Sequence, residues 1–218
     1  MPLDTYNNLQ NAVLDWLARP GDALVSPAVP DMITMFEEEA RDRLRTRFVE
    51  KTVTIPPPGP GTSILPLPLD YSEMREMWVD TNYGRRVFTF QTPVNMDCNI
   101  YGLPGQSVAY TIEGLNLRVV GTAGDTDPDT GIADPINLTY LSGLTGLSAS
   151  TPTNWLLQNY PTAYLMGTLT MAAPYIGDDP RLQIWLGARE AAFERIRLAD
   201  RRAKFPHGLM IQTDVKNP

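Results

Sequence analysis

The sequence predicts an α+β protein: a helical bundle of four or five helices, with a β-strand insertion between the N-terminal and C-terminal helices that forms a small sheet or a partial barrel. Apolar residues recur at helical spacing near both ends of the chain, and alternating, turn-rich segments fill its middle. Of the 218 residues, 43% are hydrophobic, which is enough for a core. We expect N-terminal helices at 1–50, the β-rich insertion at 51–148, C-terminal helices at 149–205 and an extended arm at 206–218.

The first predicted helix spans residues 4–18. Asp4 or Thr5 caps it, and Arg19-Pro20-Gly21 stops it. Its core side consists of Tyr6, Leu9, Val13, Trp16 and Leu17.

The second predicted helix runs from Pro30 or Asp31 to Val49. Acidic residues lie toward its start and arginines toward its end, an order that suits the helix dipole. Apolar side chains recur at every fourth position: Met32, Phe36, Ala40, Leu44 and Phe48.

Five or six short strands are predicted in the middle of the chain. Residues 52–55 alternate in polarity as a strand does, and a proline-rich loop at 56–61 follows them. Further strand candidates are residues 74–79, 86–90, 108–112, 115–120 and 136–141. Turns separate these strands at 82–84, 113–114 and 121–131.

Residues 151–205 are predicted to form two or three linked helices. Pro161 and Pro174 punctuate them, and Asp178-Asp179-Pro180 has the chemistry of a helix start. Trp155 and Trp185 are expected in the core, because each lies on the apolar stripe of its helix. The stripe of the last helix is Leu182, Trp185, Phe193, Ile196, Ala199 and Ala203.

The last helix carries more cations than anions, and three interpretations of its charge stay open. It is a solvated face, it meets an acidic protein surface, or it contacts phosphates, in that order of preference. Glu194 and Arg197 stand at a helical spacing that allows partial self-neutralisation, which weakens the phosphate interpretation.

Composition excludes several classes of protein. The net charge of −7 argues against a protein that coats nucleic acid. The single cysteine, Cys98, has no partner for an internal disulfide, and with His207 alone it cannot build a Cys/His zinc site. We expect folding in a reducing cytoplasm, with no cleaved signal and no membrane span.

Neither a catalytic nor a metal site is expected. The acidic turn at 125–131 lacks the Gly and Glu that a calcium loop requires, since Thr130 and Ile136 stand at those positions. Asp178 and Asp179 resemble a helix cap more than an acid and base pair for glycoside cleavage. We therefore predict a protein that is not an enzyme and needs no cofactor. A cell-wall hydrolase and a glycan-binding or receptor-binding module in the β region remain the alternatives.

The C-terminal residues also carry a family resemblance. They are Asn154-Trp155-Leu156-Leu157, Tyr160-Pro161, Ala163-Tyr164-Leu165, Gly167, Ala172-Ala173-Pro174-Tyr175, Asp178-Asp179 and Arg181. This pattern resembles the C-terminal signature of tailed-phage head-to-tail adaptor (connector) proteins. Weaker support comes from Leu67-Pro68-Leu69-Asp70-Tyr71, similar to a segment that opens the family's central strands, and from the helix at 37–47.

The resemblance implies a structural virion protein, made in the host cytoplasm and located in the neck at the head–tail junction. It implies a homo-oligomeric ring, usually dodecameric, beneath the portal protein and above a tail tube, nozzle or other tail component. Genomic DNA passes through the lumen of such a ring without specific binding, and no membrane takes part.

On this basis we assign two sets of contact residues as hypotheses. The ring contacts are Glu37, Arg41, Arg45, Arg189, Glu190 and Arg197. The portal-docking residues are Arg201, Arg202, Lys204, Leu209, Met210, Ile211 and Val215.

Overall fold

The computed structural model describes residues 2–56, 64–81, 84–97, 108–120, 134–177 and 179–204. In these ranges the chain forms six α-helices and two four-stranded sheets, so the predicted α+β class is confirmed. The chain divides into two compact units, Met1–Phe48 with Leu144–Pro218, and Val49–Gly143. None of the helices in the described ranges combines the length and the apolar character needed to cross a membrane.

Helix α1 spans Tyr6–Trp16, close to its predicted limits. Thr5 caps it by accepting a hydrogen bond from the Asn8 backbone N–H at 3.3 Å. Leu9 and Val13 are buried as expected. Trp16 was wrongly predicted as core, since 48% of it is exposed at the end of the helix.

Helix α2 spans Val29–Arg43 and ends six residues before the predicted Val49. The apolar period continues through Leu44, but that residue leaves the helical region (φ −106°, ψ 75°) and a short 3₁₀ turn follows at Arg47–Val49. Phe48 was expected in the core; it is 48% exposed and stacks on Trp155 at 5.3 Å between ring centres.

Three helices follow in the C-terminal part of the same unit: α4 Trp155–Asn159, α5 Pro161–Ile176 and α6 Leu182–Lys204. Asn154 caps α4 through its side-chain oxygen, and Pro161 opens α5, as helix starts prefer. Pro174 lies inside α5, and Gly177 ends that helix at φ 101°. Of the two tryptophans expected in the core, Trp185 is buried and Trp155 is only half-buried.

Helix α5 is the centre of this unit, because it is apolar on nearly all sides and packs against α1, α2, α4 and α6. Its Tyr164 meets Phe36 of α2 edge to face, with ring centres 5.2 Å apart. The Phe36 ring also stacks on Phe193 of α6 at 6.1 Å. Gly167 of α5 leaves the space that Phe36 occupies.

The second unit contains both sheets and a short helix, α3, at Pro93–Asp97. The strands are β1 Glu50–Ile55, β2 Ile64–Pro66, β3 Tyr71–Thr81, β4 Gly84–Val87, β5 Thr89–Phe90, β6 Ala109–Glu113, β7 Asn116–Val120 and β8 Ile136–Ser142. All the predicted strands are present, but β2 and α3 were missed because such short elements carry no periodic pattern. The predicted turn at 121–131 lies outside the described residues.

The first sheet has the order β1-β8-β3-β4 and is antiparallel throughout. The second has the order β2-β7-β6-β5, and its β5–β6 pair is parallel. Alternate side chains of both sheets form one apolar cluster, which includes Met77, Leu117, Ile136, Leu138 and Tyr140.

Candidate functional site

An alternating network of charged side chains joins α2 to α6. Arg43, in the last turn of α2, donates to Glu39 at 2.8 Å and to both carboxylate oxygens of Glu190 on α6. Arg189 donates to the same two carboxylates, at 2.9 Å to Glu39 and 3.0 Å to Glu190. The Arg43 guanidinium also lies 4.4 Å from the ring centre of Phe193. These contacts fix the side chains on a part of the surface where the two helices meet.

This network perturbs the pKa values of its members. Hydrogen bonds from Arg43 lower the pKa of Glu190 to about 2, and the hydrogen bond with Glu190 raises the pKa of Arg43. Both groups therefore stay charged at neutral pH. Arg189 and Glu190 were assigned to ring contacts from the sequence; the structure shows them bonded within their own unit.

A basic depression lies where α2 ends. The Arg47 backbone N–H donates to Asp200 of α6 at 2.9 Å, and Asp200 is only 5% exposed. Another predicted ring contact, Arg197, donates to Glu194 on its own helix at 2.6 Å. The surplus of guanidinium groups over carboxylates suits an acidic partner surface. The depression is lined by Arg43, Arg45, Thr46, Arg197, Asp200 and Arg201.

Glu37 is a core residue, with 4% of its surface exposed. Its Oε1 accepts hydrogen bonds from the Leu147 backbone N–H at 2.8 Å and from the Tyr164 hydroxyl at 2.9 Å. Asn154 donates to that hydroxyl at 2.5 Å and to the Thr145 carbonyl at 2.8 Å. Burial raises the pKa of Glu37. Because this carboxylate has almost no exposed surface to offer a neighbour, we leave it out of the ring contacts proposed below.

The other described residues that were assigned to ring or portal contacts lie near the ends of α2 and α6. Arg41 is exposed and donates to the Leu144 carbonyl at 3.4 Å. Arg201 and Arg202 are exposed in the last turn of α6, which ends at Lys204. The arm residues Leu209, Met210, Ile211 and Val215 lie outside the described residues.

Asp179 acts as a cap at the start of α6. It accepts a hydrogen bond from the Arg181 backbone N–H at 2.9 Å, and it pairs with the Arg181 guanidinium at 2.7 Å. These contacts lower the pKa of Asp179, the opposite of what a general acid needs. No group of acidic, His or Cys side chains in the described ranges could hold a metal ion. Asp178, Cys98, His207 and the acidic turn at 125–131 lie outside those ranges.

The family model described as SU10 adaptor protein matches residues 4–210. The chain therefore belongs to this family of phage head–tail adaptor proteins, and the resemblance found in its C-terminal residues is confirmed. Comparison with curated proteins gives no significant match. The family gives the protein a structural role in the virion, in contact with other head or tail components.

Proposed function

We propose that this adaptor assembles into a ring, dodecameric in the usual form of the family, that joins the portal of a tailed phage to its tail. The observation that supports this most is the extent of the family match. It includes the helices at both ends of the chain and the β-strands between them. The match thus extends over both units of the chain rather than over one motif.

In this proposal the helices form the adaptor core and the β unit is an insertion that faces the tail or the exterior. The ends of the β unit support this arrangement. Strand β1 pairs with β8, with Glu50 opposite Leu141, and the Ser142 hydroxyl donates to the Val49 carbonyl at 2.9 Å. The chain therefore leaves and re-enters the helical unit at neighbouring points, so an insertion of this kind does not disrupt it.

The net charge of −7 supports a role in DNA passage rather than in DNA binding. An acidic lumen repels phosphates at short range, so the genome moves through without adhering to the wall. In this proposal the basic residues on the surface of α6 bind protein partners and not DNA.

Portal binding is assigned in this proposal to the segment after α6. Residues 206–218 contain Leu209, Met210, Ile211 and Val215, and the cations Arg201 and Lys204 precede them. Apolar side chains in a short arm are buried effectively when the arm docks on a neighbour, for instance by adding a strand to a sheet edge.

Native mass spectrometry of the full chain, alone and with the portal protein of the same phage, tests this function. We expect a closed ring on the portal, and we expect that truncation after Phe205 abolishes portal binding while the circular dichroism spectrum keeps its helical signal. Replacing Leu209, Met210 and Ile211 with serine should act like the truncation, whereas replacing Gln212 and Thr213 with serine should not. Absence of any ring on the portal would overturn the proposal.

A further inference from the structure

The face of α2 that points away from the core is acidic. Asp31, Met35, Glu38 and Asp42 follow one another at spacings of four, three and four residues, so they form one line along the helix, opposite to buried Ile33, Phe36 and Ala40. All four are exposed, Met35 to 54%. Among the described residues, the three carboxylates have no ion-pair or hydrogen-bond partner.

The outward face of α6 is apolar at its start and basic toward its end. Ile184 and Leu198 are 70% and 46% exposed, although both are large apolar side chains. Arg195 makes a long hydrogen bond of 3.4 Å to the Ala191 carbonyl of its own helix, which leaves its charge unpaired within the described ranges. The line of exposed residues on this face is Ile184, Gly187, Ala191, Arg195, Leu198 and Arg202.

These two faces belong to different helices of one unit, and both helices pack on α5. Each face lies on the side of its helix opposite to that core, and the described part of the chain leaves both faces exposed. A closed ring of identical subunits needs two different and mutually complementary surfaces on every copy. The acidic line on α2 and the basic line on α6 have this property.

We infer that in the ring the acidic face of α2 on one subunit packs against the basic face of α6 on the next subunit. This inference rests on the proposed ring function and names the surfaces that form it. Arg202, grouped with the portal-docking residues from the sequence, belongs here to the contact between subunits. Glu38 and Asp42 meet the cations Arg195 and Arg202, and Met35 packs against the exposed aliphatic residues of α6.

A second copy of this chain fits both faces better than DNA does. Phosphates are attracted to the α6 face but repelled by Asp31, Glu38 and Asp42, so DNA leaves the α2 face without a partner. The α6 face also admits a close approach by another helix. A Cβ at Gly187 would meet no atom within 4 Å, and Ala191 follows one turn later.

Directed cross-linking tests the pairing. In a Cys98→Ser background, Glu38→Cys and Arg195→Cys are introduced separately, and a bismaleimide that spans about 10 Å, the separation of packed helices, is added. Mixing the two single variants with portal should give cross-linked dimers, and the double variant should give a ladder up to the full ring. Either single variant alone should stay monomeric on a denaturing gel. Asn11→Cys, exposed on α1, is the matched control and should not cross-link to Glu38→Cys.

Charge reversal provides an independent arm. The pair Glu38→Lys and Asp42→Lys should lower ring formation at least tenfold, and so should the pair Arg195→Glu and Arg202→Glu. The four changes combined should restore it. Reversal of Asp15 and Glu76, exposed carboxylates on neither face, is the control and should leave assembly unchanged.

The outcomes separate this inference from the function on which it rests. If rings form on the portal without the 38–195 cross-link, the α2–α6 contact is refuted and the ring function is not. The same holds if each reversed pair on its own leaves ring formation unchanged. A wild-type chain that forms no ring on the portal overturns both. Cross-linking of Glu38→Cys to itself would show a symmetric contact and would also refute the inference.

Discussion

The helical unit and the β unit differ in what fixes their internal geometry. In the helical unit, buried carboxylates bridge elements that are far apart in sequence: Glu37 reaches Leu147 and Tyr164, and Asp200 reaches Arg47. In the described part of the β unit, the buried polar side chains are uncharged: Thr111, Thr139 and Ser142.

The difference follows from how each kind of element satisfies its backbone. A sheet satisfies its backbone between strands, and the alternation of buried and exposed side chains together with the turns fixes its register, so its core can be apolar. Helices satisfy their backbone internally, and apolar packing alone permits them to slide or rotate. A buried polar group with one correct partner removes that freedom, because any other alignment leaves it without a hydrogen bond. We expect the helical unit to be the more sensitive of the two to small changes in its core.

The largest effect is expected where α5 approaches α2. A Cβ on Gly167 would lie 2.1 Å from two ring atoms of Phe36, and Tyr164 and Phe193 hold that ring on other sides. Gly167→Ala should therefore lower the free energy of unfolding by about 2 to 3 kcal/mol, measured by urea denaturation followed by circular dichroism. Gly187→Ala in α6 meets no atom and should raise it by up to about 1 kcal/mol. Equal effects of the two substitutions would contradict the packing of Phe36 against α5.

A tyrosine hydroxyl can be removed from each unit for direct comparison. Tyr164→Phe in the helical unit removes one hydrogen-bond partner from the buried Glu37 carboxylate and one from the Asn154 amide, so we expect a loss of about 2 kcal/mol. Tyr140→Phe in the β unit removes a 2.7 Å bond to Asp70, but Asp70 is exposed and water replaces the hydroxyl. Its cost should stay below about 1 kcal/mol. Thermal unfolding of both variants measures the difference, and a larger loss for Tyr140→Phe would refute the contrast.

Periodicity predicted the helices and most strands because burial of one face is a local property of the sequence. The end of α2 was not predictable in this way. Leu44 and Phe48 continue the apolar period, yet the helix stops at Arg43, and the Arg47 backbone beyond it is bonded to Asp200, which lies far along the chain. A hydrogen bond between residues far apart in sequence cannot be predicted from the apolar period of one helix.

Glu37 is buried although the sequence assigned it to a ring contact, and its position contained a signal of that burial. Glu37 follows Ile33 by four residues and precedes Ala40 by three, which places it on the buried side of α2. Its charge suggested a surface contact, and its partners Tyr164 and Leu147 come from the other half of the chain. The surface pairs around Arg43 were likewise hidden, because their partners on α2 and α6 are far apart in sequence and meet only in the folded unit.

The smallest effect concerns pH and separates the two kinds of carboxylate within the helical unit. Glu190 has a pKa of about 2, below its ordinary 4.5, so the stability that it contributes is present above pH 4.5 and is lost as pH falls toward 2. Glu190→Gln should lower the free energy of unfolding at pH 7 by about 1 kcal/mol or less, since 47% of this side chain is exposed and solvent screens it. The difference from wild type should vanish near pH 2.

The pKa of Glu37 is raised, so its contribution has the opposite sign. Stability rises as pH falls through the raised pKa toward 4.5, and Glu37→Gln should remove that rise. Thermal melts between pH 2 and pH 7 measure both slopes, with Glu38→Gln, exposed on α2, as the control. Slopes of the same sign for Glu190 and Glu37 would contradict the assignment of one to a surface ion pair and the other to the core.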